Sequence, residues 1–300
     1  MAAIDKRAAG FSLPELLVSV SIMLVLMGTV TSLLIKSAEA NRTVWNRTEM
    51  HSAVRGATEL LQQEVGQAGL IALPGIVSLT AASGTGSRTV AVTASTGMFV
   101  GEQLVVGTGD QAETVTLTAV AAGTMTANFT INHNAGSPVQ AIGGFPSGIV
   151  PPNMANGSTG GVLKLYGDVN NDGSMVYVEY TCDTANRRLY RNAMPFTAGA
   201  KPALAQALVL LSNIVPSPNG TPCFSYQTAV VNGNTYVLDV AITLTVQTQE
   251  RDPVTGQFQL ETKTLLNVSP RNVFNVWTLA SIGETNRIQP MPATVAVLIQ

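Results

Sequence analysis

The sequence predicts an α+β fold in which one long N-terminal helix precedes a β-rich chain. An apolar run from Phe11 to Ile35 holds a single charged residue, Glu15. Apolar residues then recur at helical spacing to about Ala68, and beyond it short segments rich in Thr, Val and Ala alternate at a period of two between Gly-rich turns. We expect a long helix, membrane-spanning in its first half, packed on an antiparallel β-sheet, with a small inserted β-module.

The first half of the helix, residues 11–36, is long enough to cross a membrane. A helix over Phe11–Ile35 extends ~37 Å, which exceeds the ~30 Å of hydrocarbon in a bilayer. A secretory signal has a shorter apolar stretch with its cut site behind it, so we expect this segment to stay on the mature chain. Lys6 and Arg7 precede the run, which predicts that the N-terminus is cytoplasmic and the bulk of the chain lies outside.

Residues 37–70 are predicted to form the amphipathic second half of the same helix. Apolar positions recur three to four residues apart, and charged residues are expected mostly on the other faces. The apolar stripe consists of Val44, Met50, Ala53, Val54, Ala57, Leu60, Leu61, Val65 and Ala68, and the charged set includes Glu59 and Glu64. Gly69 and Pro74 mark the end of the helix. A coiled-coil stalk is the alternative, but Ala and Gly interrupt the stripe too often to favour it.

Residues 76–144 and 145–300 are predicted to form two β-rich regions. In the first, segments of period two between Gly-rich turns indicate a small barrel or sandwich inserted in the chain. These segments are Thr89–Val92, Gln103–Val106, Thr114–Leu117 and Met125–Ile131. In the second, turn residues between alternating segments predict two hairpins. One pairs Leu238–Val246 with Gln257–Val268, and the other pairs Val176–Cys182 with Arg187–Arg191.

One loop has the spacing of a calcium site. Asp168, Asn170, Asp172 and Glu179 occupy positions one, three, five and twelve of the segment, and Gly173 follows for the sharp turn. The residues after the loop are predicted to form a strand, whereas an EF-hand continues into a helix. An Asx-rich turn without metal is therefore the alternative. No cofactor is predicted beyond this structural calcium ion.

Cys182 and Cys223 are the two cysteines of the chain. Because the β-rich regions are expected outside the cytoplasm, where thiols are oxidised, we predict a disulfide between them. Closing a loop of this length stabilises a fold by ~4 kcal/mol in the chain-entropy model.

Charge and motif content argue against catalysis and nucleic-acid binding. The net charge is −2, so the strongly basic surface typical of nucleic-acid binding is not expected. Arg187, Arg188, Tyr190 and Arg191 form one basic cluster, which we interpret as a solvated strand edge. The two histidines lie far apart in the sequence, and no nucleophile, carboxylate pair or phosphate loop stands out. We therefore predict no catalytic residues.

The N-terminal segment resembles the cleavage and methylation segment of type IV prepilins. It reads Gly10-Phe11-Ser12-Leu13-Pro14-Glu15 behind a basic leader of residues 1–10. The resemblance implies that a prepilin peptidase cuts between Gly10 and Phe11 and that Phe11 is N-methylated. It also implies that Glu15 pairs with the N-terminal amine of a neighbouring subunit and sets register in a filament. Such pairing matters because an ionised carboxylate among lipid tails costs several kcal/mol.

Later segments resemble PilW-like minor pilins and the related pseudopilins of type II secretion. These segments are Gln62–Gly69, Asp168–Asp172 and Leu265–Asn272. The resemblance implies that residues 145–300 form a pilin-like β-domain. It implies a minor pilin, not an enzyme, that primes or caps the assembly of a type IV pilus. The alternatives are a secretion pseudopilin and a pilus-borne adhesin that uses residues 76–144.

The same resemblance implies a location and a set of partners. The prepilin is expected in the inner membrane as a single-pass protein and later at the cell surface or in the pilus. Its implied partners are other pilins or pseudopilins, which contact the stem helix, and the prepilin peptidase. No nucleic-acid partner is expected.

Overall fold

The computed structural model describes residues 12–300, and for Leu266 it describes the backbone alone. The chain divides into two compact units. The first contains the chain up to Met50 together with Thr248–Gln259, and the second contains His51–Gln247 and Leu260–Gln300. The predicted α+β class is confirmed, because one long helix is followed by antiparallel sheets.

Helix α1 runs from Leu13 to Gln67 and has 55 residues, which confirms the predicted stem. Ser12 precedes its first turn, and the Ser12 carbonyl accepts the N–H groups of Glu15 at 3.0 Å and Leu16 at 3.1 Å. After the other end, Gly69 adopts φ = +81°. This left-handed conformation ends many helices, and glycine adopts it without steric cost.

In the first unit, the side chains of α1 from Leu13 to Ile35 are exposed. The segment is strongly apolar, and none of it is buried. By length and composition this segment can span a membrane.

The rest of the first unit is the loop Thr248–Gln259, which contacts α1. Arg42 Nη2 lies 3.0 Å from Glu250 Oε2, and Arg47 Nε donates a hydrogen bond to Gln259 Oε1. Because the ion pair is exposed on both sides, it orients the loop more than it stabilises the fold.

The second unit contains a closed six-stranded sheet. Its strands are β1 Val77–Ser78, β2 Gly86–Ala91, β3 Gln103–Val106, β4 Glu113–Ala121, β5 Thr124–Phe129 and β6 Pro138–Ala141, in the order β1-β6-β3-β4-β5-β2. Leu79, just after β1, pairs with Val92, just after β2, and this bridge closes the sheet into a barrel. Buried side chains such as Leu104, Met125 and Phe129 fill its core. That residues 76–144 form an independent module stays a prediction.

Two further antiparallel sheets belong to the second unit. One has the order β10-β9-β8-β7 and consists of β7 Val162–Gly167, β8 Val176–Asp183, β9 Arg188–Pro195 and β10 Val209–Ser212. In the other, β13 pairs with each of its neighbours, and the strands are β11 Ile214–Val215, β12 Phe224–Val231, β13 Asn234–Gln247 and β14 Leu260–Val268. The two predicted hairpins are confirmed as β8–β9 and β13–β14.

Two short helices complete the second unit. They are α2 Arg271–Ser281 and α3 Ala293–Leu298, and neither was expected from the sequence. Helix α2 buries Val273, Val276 and Ala280, which lie three to four residues apart and so share one face.

The second half of α1 buries most of the predicted apolar stripe, but Val44 and Ala53 are exposed. Val54, Ala57, Leu61 and Val65 are each at most 2% exposed. One expectation about this half is wrong, because Glu64 was assigned to the charged faces and is instead only 1% exposed.

Candidate functional site

The first turn of α1 carries the one charged side chain of the apolar segment. Glu15 is the third residue of the helix, and its Oε2 atom lies 3.5 Å from the Ser12 hydroxyl. Both side chains are exposed. A carboxylate in a first turn also interacts favourably with the partial positive charge of the helix N-terminus. The predicted processing residues, Gly10 and Phe11, lie outside the described residues.

Glu15 has no cationic partner within residues 12–300, because none of the ion pairs found there includes it. The helix around it is apolar over the thickness of a membrane. In such surroundings an ionised carboxylate is stabilised when a cation pairs with it. Pairing with the N-terminal amine of a neighbouring subunit would supply that cation and stays a prediction.

Glu64, near the other end of α1, has its partners inside the chain. Its carboxylate accepts a hydrogen bond of 2.5 Å from the Tyr180 hydroxyl and one of 3.1 Å from Arg191 Nε. Arg191 Nη2 donates to the same carboxylate. Tyr180 and Arg191 lie opposite each other on β8 and β9, so one sheet presents both donors. This arrangement corrects the interpretation of Arg191 as part of a solvated strand edge.

The Glu64 cluster is stable because its charges are matched. Burial raises the pKa of the Tyr180 hydroxyl, and the neighbouring Glu64 charge raises it further. The hydroxyl therefore remains a hydrogen-bond donor at physiological pH. A buried carboxylate that is satisfied by a guanidinium and a hydroxyl holds the helix at one place on the sheet.

Glu102, in the turn before β3, is buried, and no cation pairs with it among residues 12–300. It is 0% exposed, and its Oε2 atom accepts the N–H of Phe99 at 3.1 Å. Its Oε1 atom is buried and has no hydrogen-bond partner within the described chain. Burial raises the pKa of this carboxyl to about 8, so it is mostly protonated at neutral pH.

The loop predicted to bind calcium is a tight turn held by its own carboxylates. Asp168 is 2% exposed, and its two carboxylate oxygens accept the N–H groups of Asp172 at 3.0 Å and Gly173 at 2.9 Å. Asp172 is exposed and accepts the N–H of Ser174 at 2.8 Å. Asn170 is exposed in the same loop.

Glu179, the fourth predicted calcium ligand, has other partners. Its Oε2 atom lies 3.0 Å from Lys201 Nζ. Within residues 12–300, no group of three or more His, Cys, Asp or Glu side chains is arranged to hold a metal ion. Calcium binding at this loop stays a prediction, and the structure does not gather its three carboxylates into one cluster.

Cys182 and Cys223 form a disulfide. Cys182 lies near the end of β8, and Cys223 immediately precedes β12. The bond therefore connects the two four-stranded sheets across a sequence separation of 41 residues.

Comparisons with known proteins concern the N-terminal helix. A family model described as the prokaryotic N-terminal methylation motif matches residues 5–31. A search of the curated proteins gives no match, and a search of the solved structures gives none either. A methylation motif that leads into an exposed, membrane-length helix is typical of a single-pass protein anchored at its N-terminus. Within that class, the chain fits a type IV prepilin-like protein.

Proposed function

We propose that this chain is a minor pilin of a type IV pilus, a structural subunit that primes or caps filament assembly and is not an enzyme. One observation carries the proposal: the methylation motif at residues 5–31 leads into a helix whose apolar side chains from Leu13 to Ile35 are unburied. An apolar surface of this size must be covered in the cell. In this proposal the membrane covers it first, and the helices of neighbouring subunits cover it in the filament.

The size of the chain supports a minor subunit over the major one. The chain has 300 residues. In the sequence, the barrel of strands β1–β6 lies between α1 and the strands of the other two sheets, and it makes the subunit larger. A bulky subunit fits the end of a filament more readily than its body, because a terminal position has neighbours on one side only.

The proposal includes a location and partners. The prepilin lies in the inner membrane through α1, a prepilin peptidase cleaves it between Gly10 and Phe11, and the bulk of the chain lies outside the cytoplasm. The Cys182–Cys223 disulfide supports an oxidising compartment for that bulk. The partners are other pilins, which contact α1.

Processing is tested by mass spectrometry of the chain purified from membranes. The mature protein should begin at N-methylated Phe11. Replacing Gly10 by a bulky residue, as in Gly10→Trp, should leave the leader attached, because the peptidase must accommodate that position. A mature protein that begins beyond Ile35 contradicts the proposal, since the apolar helix would then have been removed.

The minor-pilin role is tested by deleting the gene and measuring piliation and type II secretion in the same strain. Loss of filaments with normal secretion, together with a small amount of the chain in sheared pili, supports a priming or capping subunit. Loss of secretion with normal pili supports the pseudopilin instead. A chain present in pili in amounts equal to the major subunit contradicts the minor role.

An adhesin role of the barrel can be tested by removing the barrel from the chain. Leu70 pairs with Gly144, so the chain enters and leaves the barrel at adjacent points. Residues 76–141 can therefore be replaced by a short Gly/Ser linker. If the barrel binds a surface, the variant should make normal numbers of filaments that attach poorly. If the barrel packs in the priming complex, the number of filaments should fall.

A further inference from the structure

Three polar side chains form a row across neighbouring strands of the sheet β7–β10. Lys164 on β7 lies directly opposite Glu179 on β8, and Glu179 lies directly opposite Asn192 on β9. Opposed residues in antiparallel strands project from the same face, with Cβ atoms ~4.5–5.5 Å apart. The Glu179 carboxylate therefore lies between an amine and a carboxamide.

The row is buried. Lys164 is 8% exposed, Asn192 is 2% exposed, and the side chain of Glu179 is 13% exposed. The next row on the same face contains Tyr166 and Tyr177, which belong to an apolar core. The Tyr177 hydroxyl donates to Glu179 Oε2 at 2.8 Å. Polar groups buried in this way must hydrogen-bond or form ion pairs with one another, because a buried polar group without a partner destabilises the folded chain.

A second lysine reaches the row from the loop after β9. Lys201 Nζ lies 3.0 Å from Glu179 Oε2, and the next residue, Pro202, accepts a hydrogen bond of 2.9 Å from Asn192 Nδ2. The loop thus holds the Lys201 amine and the Asn192 carboxamide beside one carboxylate. Asn192 Oδ1 is buried and has no hydrogen-bond partner within the described chain. Its carbonyl is therefore able to accept a proton or a hydrogen bond from a protonated Glu179.

The other lysine of the row is held in a different role. Lys164 Nζ donates to the carbonyl oxygens of Asn156 at 2.9 Å and Ile299 at 2.8 Å, and it lies 3.8 Å from Glu179 Oε2. These bonds fix its amine on the β7 side of Glu179, with Asn192 on the β9 side. Lys201 is the lysine whose backbone lies beside Asn192.

We propose that Lys201 and Asn192 become joined by an isopeptide bond with Glu179 as the proton carrier. Glu179 takes a proton from the Lys201 ammonium, and the neutral amine attacks Asn192 Cγ. The bond from Nζ to Cγ forms and the bond from Cγ to Nδ2 breaks. The lysine nitrogen gives up two protons in all, and both pass to the departing nitrogen, which leaves as ammonium.

The step needs no oxidant, reductant or other reactant. Its rate comes from position, because an amine and an amide held beside the same carboxylate react as parts of one molecule. The product keeps the loop after β9 attached to the sheet by a covalent bond in addition to the hydrogen bond from Asn192 to Pro202.

Intact mass spectrometry of the detergent-purified full chain, with its disulfide reduced, measures the step directly. The wild-type mass should fall about 17 Da below that of the same processed chain with free side chains, which is the mass of the ammonia lost. Glu179→Gln keeps the shape of the side chain but accepts no proton, so its mass should show no such loss. A wild-type chain without the loss, or one that is about 1 Da heavier through deamidation of Asn192, overturns the proposal.

Chemical cleavage locates the bond. Cyanogen bromide cuts after Met194, which lies between Asn192 and Lys201 in the sequence. Once the disulfide is reduced, the fragments 176–194 and 195–291 should separate unless an isopeptide bond joins them. They should remain joined in the wild-type chain.

Lysine variants assign the donor. The two fragments should separate in Lys201→Gln. Lys263→Gln, which changes an exposed lysine on β14, is the matched control and should keep them joined. A wild-type chain in which fragment 176–194 is joined to fragment 155–175, which contains Lys164, and separates from 195–291 overturns the assignment of Lys201.

Discussion

The two ends of α1 each carry a glutamate in apolar surroundings, and they differ in where the partners lie. Glu64 is buried against Arg191 and Tyr180 of its own chain. Glu15 is exposed and has no cationic partner within residues 12–300. A carboxylate that is satisfied internally contributes to the fold, whereas one without an internal cation is available to a second molecule. One helix therefore combines a folding contact at Glu64 with the site of the proposed assembly contact at Glu15.

The largest loss of stability is expected for Glu64→Ala. The substitution leaves Arg191 without its counterion, and breaking a buried ion pair by removing one partner costs ~3–5 kcal/mol. Urea unfolding of the detergent-solubilised chain measures the change in the free energy of unfolding. Glu59→Ala is the matched control on the same helix, because Glu59 is exposed and pairs only with Arg55 among the described residues. If the two substitutions lower the free energy of unfolding equally, the buried Glu64 contributes no more to stability than the exposed Glu59.

A pH-dependent loss is expected from Glu102, a buried carboxyl with which no cation pairs in the described part of the chain. In the folded chain it holds its proton up to about pH 8, whereas the unfolded chain releases it near pH 4.5. Between these values the folded state binds more protons, so stability should fall as pH rises, by up to about 1.4 kcal/mol per pH unit. Above about pH 8 both states are ionised and this contribution to the slope ends.

Glu102→Gln tests this contribution, because the amide keeps the shape of the side chain and does not ionise. Unfolding free energies at pH 5, 6, 7 and 8 should decline less steeply in the variant than in the wild-type chain. The exposed Glu284→Gln serves as the control and should keep the wild-type slope. Identical slopes in wild type and Glu102→Gln would show that burial does not hold the proton on Glu102.

A smaller loss is expected for Tyr180→Phe. The hydroxyl donates to a charged acceptor, and such a bond contributes ~1.5–3 kcal/mol, while Arg191 still neutralises Glu64 in the variant. The same unfolding assay should therefore place Tyr180→Phe between the wild-type chain and Glu64→Ala. A loss as large as that of Glu64→Ala would indicate that the hydroxyl, and not the guanidinium, is the main partner of the carboxylate.

The smallest effect on stability is expected for Glu15→Ala. No partner of Glu15 within residues 12–300 is lost apart from the Ser12 hydroxyl, so the unfolding curve should match that of the wild type. If Glu15 pairs with the N-terminal amine of a neighbouring subunit, as proposed, incorporation into sheared filaments should nevertheless fall, because that amine loses its counterion. Wild-type incorporation of the variant would mean that this carboxylate does not set register.

Elements with local signals were predictable from the sequence, and elements without them were not. The hairpin β8–β9 is close in sequence and has alternating side chains, and the helix α1 has both length and period. By contrast, β7 is buried along almost its whole length, so its residues do not alternate. Strand β12 was missed although Asn232-Gly233 gives a hairpin signal between it and β13. The spacing of Val273, Val276 and Ala280 could have predicted α2.

The candidate site residues also differ in how far the sequence alone reveals them. Glu15 is conspicuous because it is the single charge in an apolar run, which composition alone shows. The partner of Glu64 is 127 residues away, so only the fold shows that Arg191 is not a surface residue. The row of Lys164, Glu179 and Asn192 depends on strand register, and a shift of one residue would move each side chain to the other face.

The bridge between Leu79 and Val92 has a consequence for behaviour at high local concentration. An open sheet has border strands whose free N–H and C=O groups can pair with the backbone of another molecule, and such pairing leads to aggregates and amyloid-like deposits. In the barrel of strands β1–β6, the two border strands are joined to each other through this bridge. Where this bridge forms, each border is occupied by the other, so crowded copies of the chain find less free backbone at this barrel and meet there more through side chains, which discriminate between partners.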